Sequence, residues 1–413
     1  MSVDQVMSVV GYFVLLAIGY ALSRNRKAVR LKLVLWGVGL QWLMAALLLK
    51  VPQGQGVLTA AASVVQGILD HAFVGSSFLF GQLGAPSGGT SGLGVIFAFQ
   101  VLPTIIFVAA LFGVLYYLGV MQLIVRVLAR AMVYVFGASG AESLCVAASI
   151  FMGQSEAPLT IRPFLAKLTE SELFTVIVAG MASVSGAILG AYVLLGGVRI
   201  EHLLTAMAMT APISLVFAKL IVPETGVPET AGRVDDAPVD NSRNILDAAA
   251  NGTIDGMKLA ANVGAMLISF IALVSLLNGL IGVVSGWVSP ESVPLTLQRM
   301  LGWACMPFAL LMGIPWGEAQ QVGSILGTRV VLNEIVAFQE LNGLKGVLAD
   351  RSVAITTFAV CGFANLSSIG IQIGGLGALV PERKADIARL GLLALVAATL
   401  ANFSTACVAG ALL

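Results

Sequence analysis

Two short clusters place a carboxylate beside amides and hydroxyls inside otherwise apolar sequence. Gly153-Gln154-Ser155-Glu156-Ala157-Pro158 interrupts the run 144–165, and Pro315-Trp316-Gly317-Glu318-Ala319 interrupts the run 297–336. Two more runs are broken by small and polar residues, at 182–190 and at 362–370. Carboxylates accept, while amides and hydroxyls both donate and accept, so such groups together can hold a polar solute away from water. An ionisable residue at bilayer depth costs roughly 2.5–3.5 kcal/mol on insertion scales, and its default reading is functional. Covalent catalysis is the weaker use of these groups. There is no GxSxG elbow, no HExxH and no Ser–His pairing, and His71 and His202 lie away from every motif.

Such clusters need a low-dielectric frame, and the composition supplies one. Of 413 residues, 58% are hydrophobic and only 10% are charged, against about 25% charged in soluble domains. Mean hydropathy is +0.97. A soluble globule could not bury that much apolar surface, so the chain reads as an all-α polytopic membrane protein. The net charge of +1 argues against nucleic acid as a partner. Cys145, Cys305, Cys361 and Cys407 sit in apolar stretches without CxxC spacing and read as packing residues. Asp4 stands where a signal peptide would carry basic charge, so the first apolar run is expected to be retained.

Eight runs are long enough to span: 6–22, 33–49, 95–118, 173–195, 203–221, 257–288, 353–373 and 387–412. The two carboxylate-bearing stretches, 144–165 and 297–336, fit better as re-entrant hairpins. Broken backbone survives at membrane depth only inside protein or beside water. The stretch 58–73, within the Gly- and Ser-rich region 52–94, is expected to lie along the interface. The expected organisation is 1–94 as N-terminal scaffold, 95–221 as first repeat, 222–252 as a cytoplasmic linker and 253–413 as second repeat.

Each repeat reads span, hairpin, interrupted span, span. Lys and Arg, among them Arg24, Arg26, Lys27, Arg30, Arg126, Arg130, Arg383 and Arg389, crowd one side if the hairpins do not cross. Both termini are then periplasmic in an inner membrane, and the hairpins enter from opposite sides. Such inverted halves point to a midplane site in a secondary transporter. Gly186, Gly190, Gly370 and Gly374 are read as helix-packing positions.

At these residues the chain resembles a concentrative nucleoside transporter. The resemblance rests on GQSEAP at 153–158, PWGEA at 315–319, NEIVAF at 333–338 and GFANLSSIGIQIGG at 362–375, in order along nearly the whole length. It implies a homotrimer whose protomers each import a nucleoside, such as uridine, with a co-transported cation. Carried over by motif, Gln154, Ser155 and Glu156 would bond the nucleobase, with Ile188 packed near it. Glu334, Asn365 and Ser368 would bind the ribose hydroxyls, and Phe363 would line the pocket. Glu142 reads as an N-terminal helix charge, and Glu318 as either a ligand or a group closing a hairpin tip.

Sodium-coupled relatives form their ion site between the first hairpin tip and the break in the fourth span. Ser149, Met152, Ser183 and Ala187 occupy those positions here. Ser183 matches the sodium pattern, whereas Ser149 replaces an Asn, as in proton-coupled bacterial relatives. Sodium at this site is thereby weakened, and Glu334 offers a titrating group for a proton. H+ and Na+ both stay open as coupling ion, with the proton favoured; no other cofactor is expected. Rival readings are a channel built from re-entrant loops, a symporter of another small polar solute and a membrane enzyme.

Overall fold

The computed structural model describes residues 2–86, 95–234, 242–288 and 295–413. Parts of three sequence-defined regions, 87–94, 235–241 and 289–294, lie outside the described residues. Every regular element among the described residues is helical.

The ends of the helices sort into two faces. Helix α1 (Val3–Ala21) opens with Ser2 and Gln5 in reciprocal capping bonds and ends where the Arg24 N–H donates to the Ile221 carbonyl at 2.9 Å. Arg24 also pairs with Glu170 there. Helix α2 (Leu31–Leu49) returns to the face of the N-terminus. Helix α3 (Pro52–Phe80) starts three residues after α2 ends and is long and apolar enough to cross. Its far end argues otherwise. Phe80 packs on Phe99 with ring centroids 5.0 Å apart, just before α4 (Leu102–Tyr117). Helix α4 runs antiparallel to α10 (Ile245–Val288), with Gly113 against Ala248 and Gly264 against Leu102. It therefore starts at the terminal face and ends at the linker face. Both ends of α3 lie at the terminal face, so it runs along that face and does not cross.

Helix α5 (Val120–Phe136), which composition alone did not single out, behaves the same way on the linker face. Gly119 and Gly137 turn the chain with φ of +78° and +63°, a conformation glycine adopts without penalty. Met121, Val125, Ala129, Met132 and Phe136 are buried, one stripe of an amphipathic helix.

The first hairpin is α6 (Gly140–Ala148), a turn, and a 3-10 segment Ala157–Lys167. Glu142, with Ser139, caps α6 as expected and pairs with Lys219 at 2.7 Å. Arg383 donates to the Leu168 carbonyl at 2.8 Å. Both arms thus begin and end at the linker face. The broken span α7 (Glu170–Ala182) and α8 (Leu189–Gly196) follows, then α9 (Ile200–Ile221).

The second hairpin differs from the sequence expectation. Helices α11 (Leu297–Leu311) and α12 (Trp316–Val331) are bent by 118° at a break, but that break stays at the terminal face. Ser8 Oγ donates to the Met312 carbonyl at 2.8 Å, and Arg351 Nη1 to the Gly313 carbonyl at 2.6 Å. Glu318 accepts from the Ala349 N–H at 3.0 Å, at the start of α14 (Asp350–Val360). The re-entrant pair is α12 with α13 (Glu334–Gly343), whose turn Leu332–Asn333 reaches the interior. Asn333 is extended and its side chain accepts from the Val336 N–H at 3.0 Å, so α13 starts afresh there. After α13, Lys345 donates to the Gly197 carbonyl beside the start of α9. The second hairpin therefore enters from the terminal face.

Helix α14, the break Cys361–Asn365 and α15 (Leu366–Leu379) form the second broken span, and α16 (Lys384–Leu412) closes the chain. Full crossings are α1, α2, α4, α7 with α8, α9, α10, α14 with α15, and α16. Gly410, near the C-terminus, lies against Ser8, so the two termini share a face. The sequence-defined linker 222–252 also needs trimming. Helix α10 already begins at Ile245, because Asn244 Oδ1 accepts from the Asp247 N–H at 2.9 Å and Asp247 Oδ2 accepts from the Arg243 N–H at 2.8 Å.

The two breaks meet at the centre. The Phe363 N–H donates to the Ser183 carbonyl at 3.1 Å. Asn402 Nδ2 bridges the Ala182 and Cys361 carbonyls at 2.8 and 3.1 Å. Of the four glycines read as packing positions, Gly186 faces Phe112 and Gly190 faces Leu69 and Thr104. Around Gly370 and Gly374 an added Cβ would meet nothing within 4 Å, so packing does not require those two.

Candidate functional site

A cavity of about 430 Å³ lies between the hairpin tips and one side of α10. Gln154, Ser155, Glu156, Ile188, Glu334, Phe363, Asn365 and Ser368 all line it. Residues from the first hairpin, both breaks and the second hairpin are thus brought together from both halves.

Each polar group is held by its own element. Asn365 caps α15, its Oδ1 accepting from the Ser368 N–H at 2.9 Å and from Ser367 Oγ at 2.6 Å. That leaves Nδ2 free to donate to Glu334 Oε2 at 3.1 Å. Glu334 Oε1 accepts from the Tyr192 hydroxyl at 3.1 Å. The carboxylate is 3% exposed and stands at the first turn of α13, where the helix end favours negative charge. Gln154 Nε2 donates to Ser368 Oγ at 3.0 Å, joining the first hairpin to α15. Glu156 Oε2 accepts from the Gly153 N–H at 3.1 Å, which folds the carboxylate onto its own turn. The cavity therefore offers two carboxylates, four amides and several hydroxyls, beside the apolar Ile188, Phe363, Val263 and Met266. That mixture suits a solute with a flat ring and a hydroxyl-bearing part.

The proposed ion positions are adjacent to it. Ser149 ends α6 and its Oγ donates to the Cys145 carbonyl at 2.9 Å. Met152 lies in the hairpin turn, Ser183 in the break and Ala187 just after it. Turn and break are tied by the Gly186 N–H donating to the Phe151 carbonyl at 2.9 Å. The Ser183 carbonyl is engaged by Phe363.

Several residues of this region were not singled out from the sequence. Tyr192, which orients Glu334, sits in an apolar helix outside every motif. Asn262 and Ser269 supply polar groups from α10, which had read only as a long span. Asn333 and Ser367 line the cavity beside residues that were singled out. Arg329 is fully buried on α12, donating to Thr399 Oγ1 at 3.3 Å and to Asn402. It thereby faces the carboxyl ends of α7 and α14, where positive charge is favourable. Glu318, by contrast, stands at the terminal face and does not line the cavity.

Residues 202–410 match the family model described as the C-terminus of Na+ dependent nucleoside transporters, and residues 10–83 match its N-terminal counterpart. Residues 98–199 match a Gate model described as nucleoside recognition. An uncharacterized transporter of Haemophilus influenzae is 43% identical over 409 residues, covering 98% of this chain and 96% of its own length. The nucleoside permease NupC of Helicobacter pylori is 40% identical over 416 residues, covering 99% and 98%. Sodium/nucleoside cotransporter 2 of Rattus norvegicus is 36% identical over 427 residues, covering 99% of this chain and 63% of its own length. Among solved structures, CNTnw in an inward-facing substrate-bound state superposes with a TM-score of 0.92 at 42% identity, covering 99% and 98%. A doubly substituted CNTnw in an outward-facing state gives 0.93 at 41% identity, covering 100% and 98%.

Proposed function

The chain belongs to the family of Na+-dependent nucleoside transporters, and from that premise we propose how its own residues serve cation-coupled nucleoside symport by alternating access. Relatives solved in inward- and outward-facing states support the alternating cycle. The observation that carries the residue assignment is the convergence of both hairpin tips and both breaks on one cavity.

Glu334 accepts hydrogen bonds from the ribose hydroxyls, and Asn365 and Ser368 complete that set. A sugar diol donates, and a carboxylate already fixed by Tyr192 and Asn365 is a preorganised acceptor. Gln154, Ser155 and Glu156 meet the nucleobase edge, with Ile188 and Phe363 as apolar walls. Uridine is the reference substrate.

The coupling ion binds between the first hairpin turn and the first break, at Ser149, Met152, Ser183 and Ala187. The family description favours sodium. Against it, the Ser149 hydroxyl is turned to its own helix and the Ser183 carbonyl is taken by Phe363, which favours a proton. Radiolabelled uridine uptake in proteoliposomes separates these. A pH gradient alone is expected to drive accumulation; accumulation driven by a sodium gradient alone overturns the proton assignment.

The linker face carries Arg24, Arg26, Lys27, Arg30, Arg126 and Arg130, so it is the cytoplasmic side of an inner membrane and both termini are periplasmic. The protein assembles as a homotrimer.

A further inference from the structure

Gln372 lies one turn beyond Ser368 on α15, is 1% exposed, and does not line the cavity. Its Nε2 donates to Oε1 of Gln154 at 3.4 Å and to the main-chain carbonyl of Gln154 at 3.5 Å. The other end of the Gln154 amide, Nε2, donates to Ser368 Oγ, and Ser368 does line the cavity. Helix α7 closes the space behind. A Cβ added at Gly180 would stand 2.7 Å from Gln372 Nε2 and 3.1 Å from Gln154 Cβ.

An amide side chain is asymmetric: one end only accepts and the other only donates. A free glutamine can turn over and show either end to a ligand. With a donor fixed behind it, turning over would set two amide nitrogens against each other and leave both unsatisfied. Gln372 supplies that donor. It could itself turn over, since its own Oε1 has no hydrogen-bond partner. That would break its bond to the main-chain carbonyl of residue 154, which cannot turn. The main chain therefore sets the direction of Gln372, and Gln372 sets the direction of Gln154.

We propose that Gln372 is a positioning residue for base selection, holding the carbonyl end of the Gln154 amide away from the cavity and its N–H end toward it. The arrangement favours nucleobases that present a ring carbonyl oxygen at that edge, such as uracil, over those that present an amino group, such as cytosine. It rests on the reading that Gln154 meets the nucleobase.

The test is the concentration dependence of uridine and cytidine uptake by the full-length protein in proteoliposomes. In Gln372→Met the ratio of KM for uridine to KM for cytidine is expected to rise about tenfold, with maximal rates retained, because one buried hydrogen bond changes between match and mismatch. Gly180→Ala, whose Cβ would press on Gln372 Nε2 and on Gln154 from outside the cavity, is expected to move the ratio in the same direction. If either variant transports too slowly, the two dissociation constants measured by calorimetry give the same ratio. Equal changes in both KM values, or none, overturn the proposal, since a merely structural role would weaken both substrates alike. Gln154→Met separates the positioning role of Gln372 from the base contact of Gln154. A ratio altered by Gln154→Met but not by Gln372→Met removes only the positioning role; a ratio untouched by Gln154→Met removes the base contact itself.

Discussion

Glu334 concentrates the residue-scale claims, because both of its oxygens are already engaged by Tyr192 and Asn365 before any solute arrives. Glu334→Gln keeps the shape but replaces one acceptor oxygen with a donor facing Tyr192 or Asn365. Uridine uptake is expected to fall by about tenfold to a hundredfold, the worth of a charged hydrogen bond, while the protein elutes from size exclusion as wild type. Normal uptake by that variant would remove the ribose role. Tyr192→Phe deletes one hydrogen bond to that carboxylate, about 1.5 kcal/mol or more, so KM should rise at least about tenfold with little change in maximal rate. The pocket residues carried by GQSEAP, NEIVAF and GFANLSSIGIQIGG all reach the cavity, because those motifs sit at helix breaks where backbone and side chain both face inward, whereas PWGEA supplies none. Tyr192, Asn262 and Ser269 were not legible. Each is an isolated polar residue within an apolar stretch of helix, and whether it faces lipid, protein or cavity depends on rotation about the helix axis, which composition does not fix.

At the scale of elements, the second hairpin shows where a sequence pattern misleads. Pro315 and Glu318 carry the punctuation of a turn, and a turn is there, but it lies at the terminal face beside Ser8 and Arg351. The buried tip is marked only by Asn333 as a helix cap, a weaker signal than Pro and Gly. The crossing of the two breaks depends on close backbone approach at Gly362, where a Cβ would stand 2.5 Å from the Ala182 carbonyl oxygen. Gly362→Ala should therefore cost about 1–3 kcal/mol, read as a lower melting temperature in detergent, whereas Gly370→Ala, with open space around it, should not. At the linker face, burial would raise the Glu224 carboxyl, but Lys219 at 3.3 Å and bonds from Gly226 and Thr169 bring it below its usual range. A lowered folded-state value adds stability that is full above the unfolded pKa of about 4.3 and fades as pH falls through the folded one. Thermal melts of wild type should lose stability across that acidic window more steeply than those of Glu224→Gln; parallel curves would show that the contact contributes nothing.

For the whole molecule, the class, the order of spans and the inverted halves were legible because bilayer thickness imposes a fixed apolar length and broken backbone must be covered. Helix α3 is long and apolar enough to cross, yet the contact of Phe80 with Phe99 and the bond from Gln100 to the Leu83 carbonyl return its end to the terminal face, in line with the interfacial reading of 58–73. In this reading, two hairpins entering from opposite faces expose one shared site alternately to each side. The most direct measurement places single cysteines at Ser155 and at Asn333, in a background with Cys145, Cys305, Cys361 and Cys407 replaced by Ala, and labels them with a membrane-impermeant maleimide from either side of sealed vesicles. Alternating exposure predicts that both positions react from both sides and that uridine protects both. Reaction of both from one side only, or reaction indifferent to uridine, would contradict it.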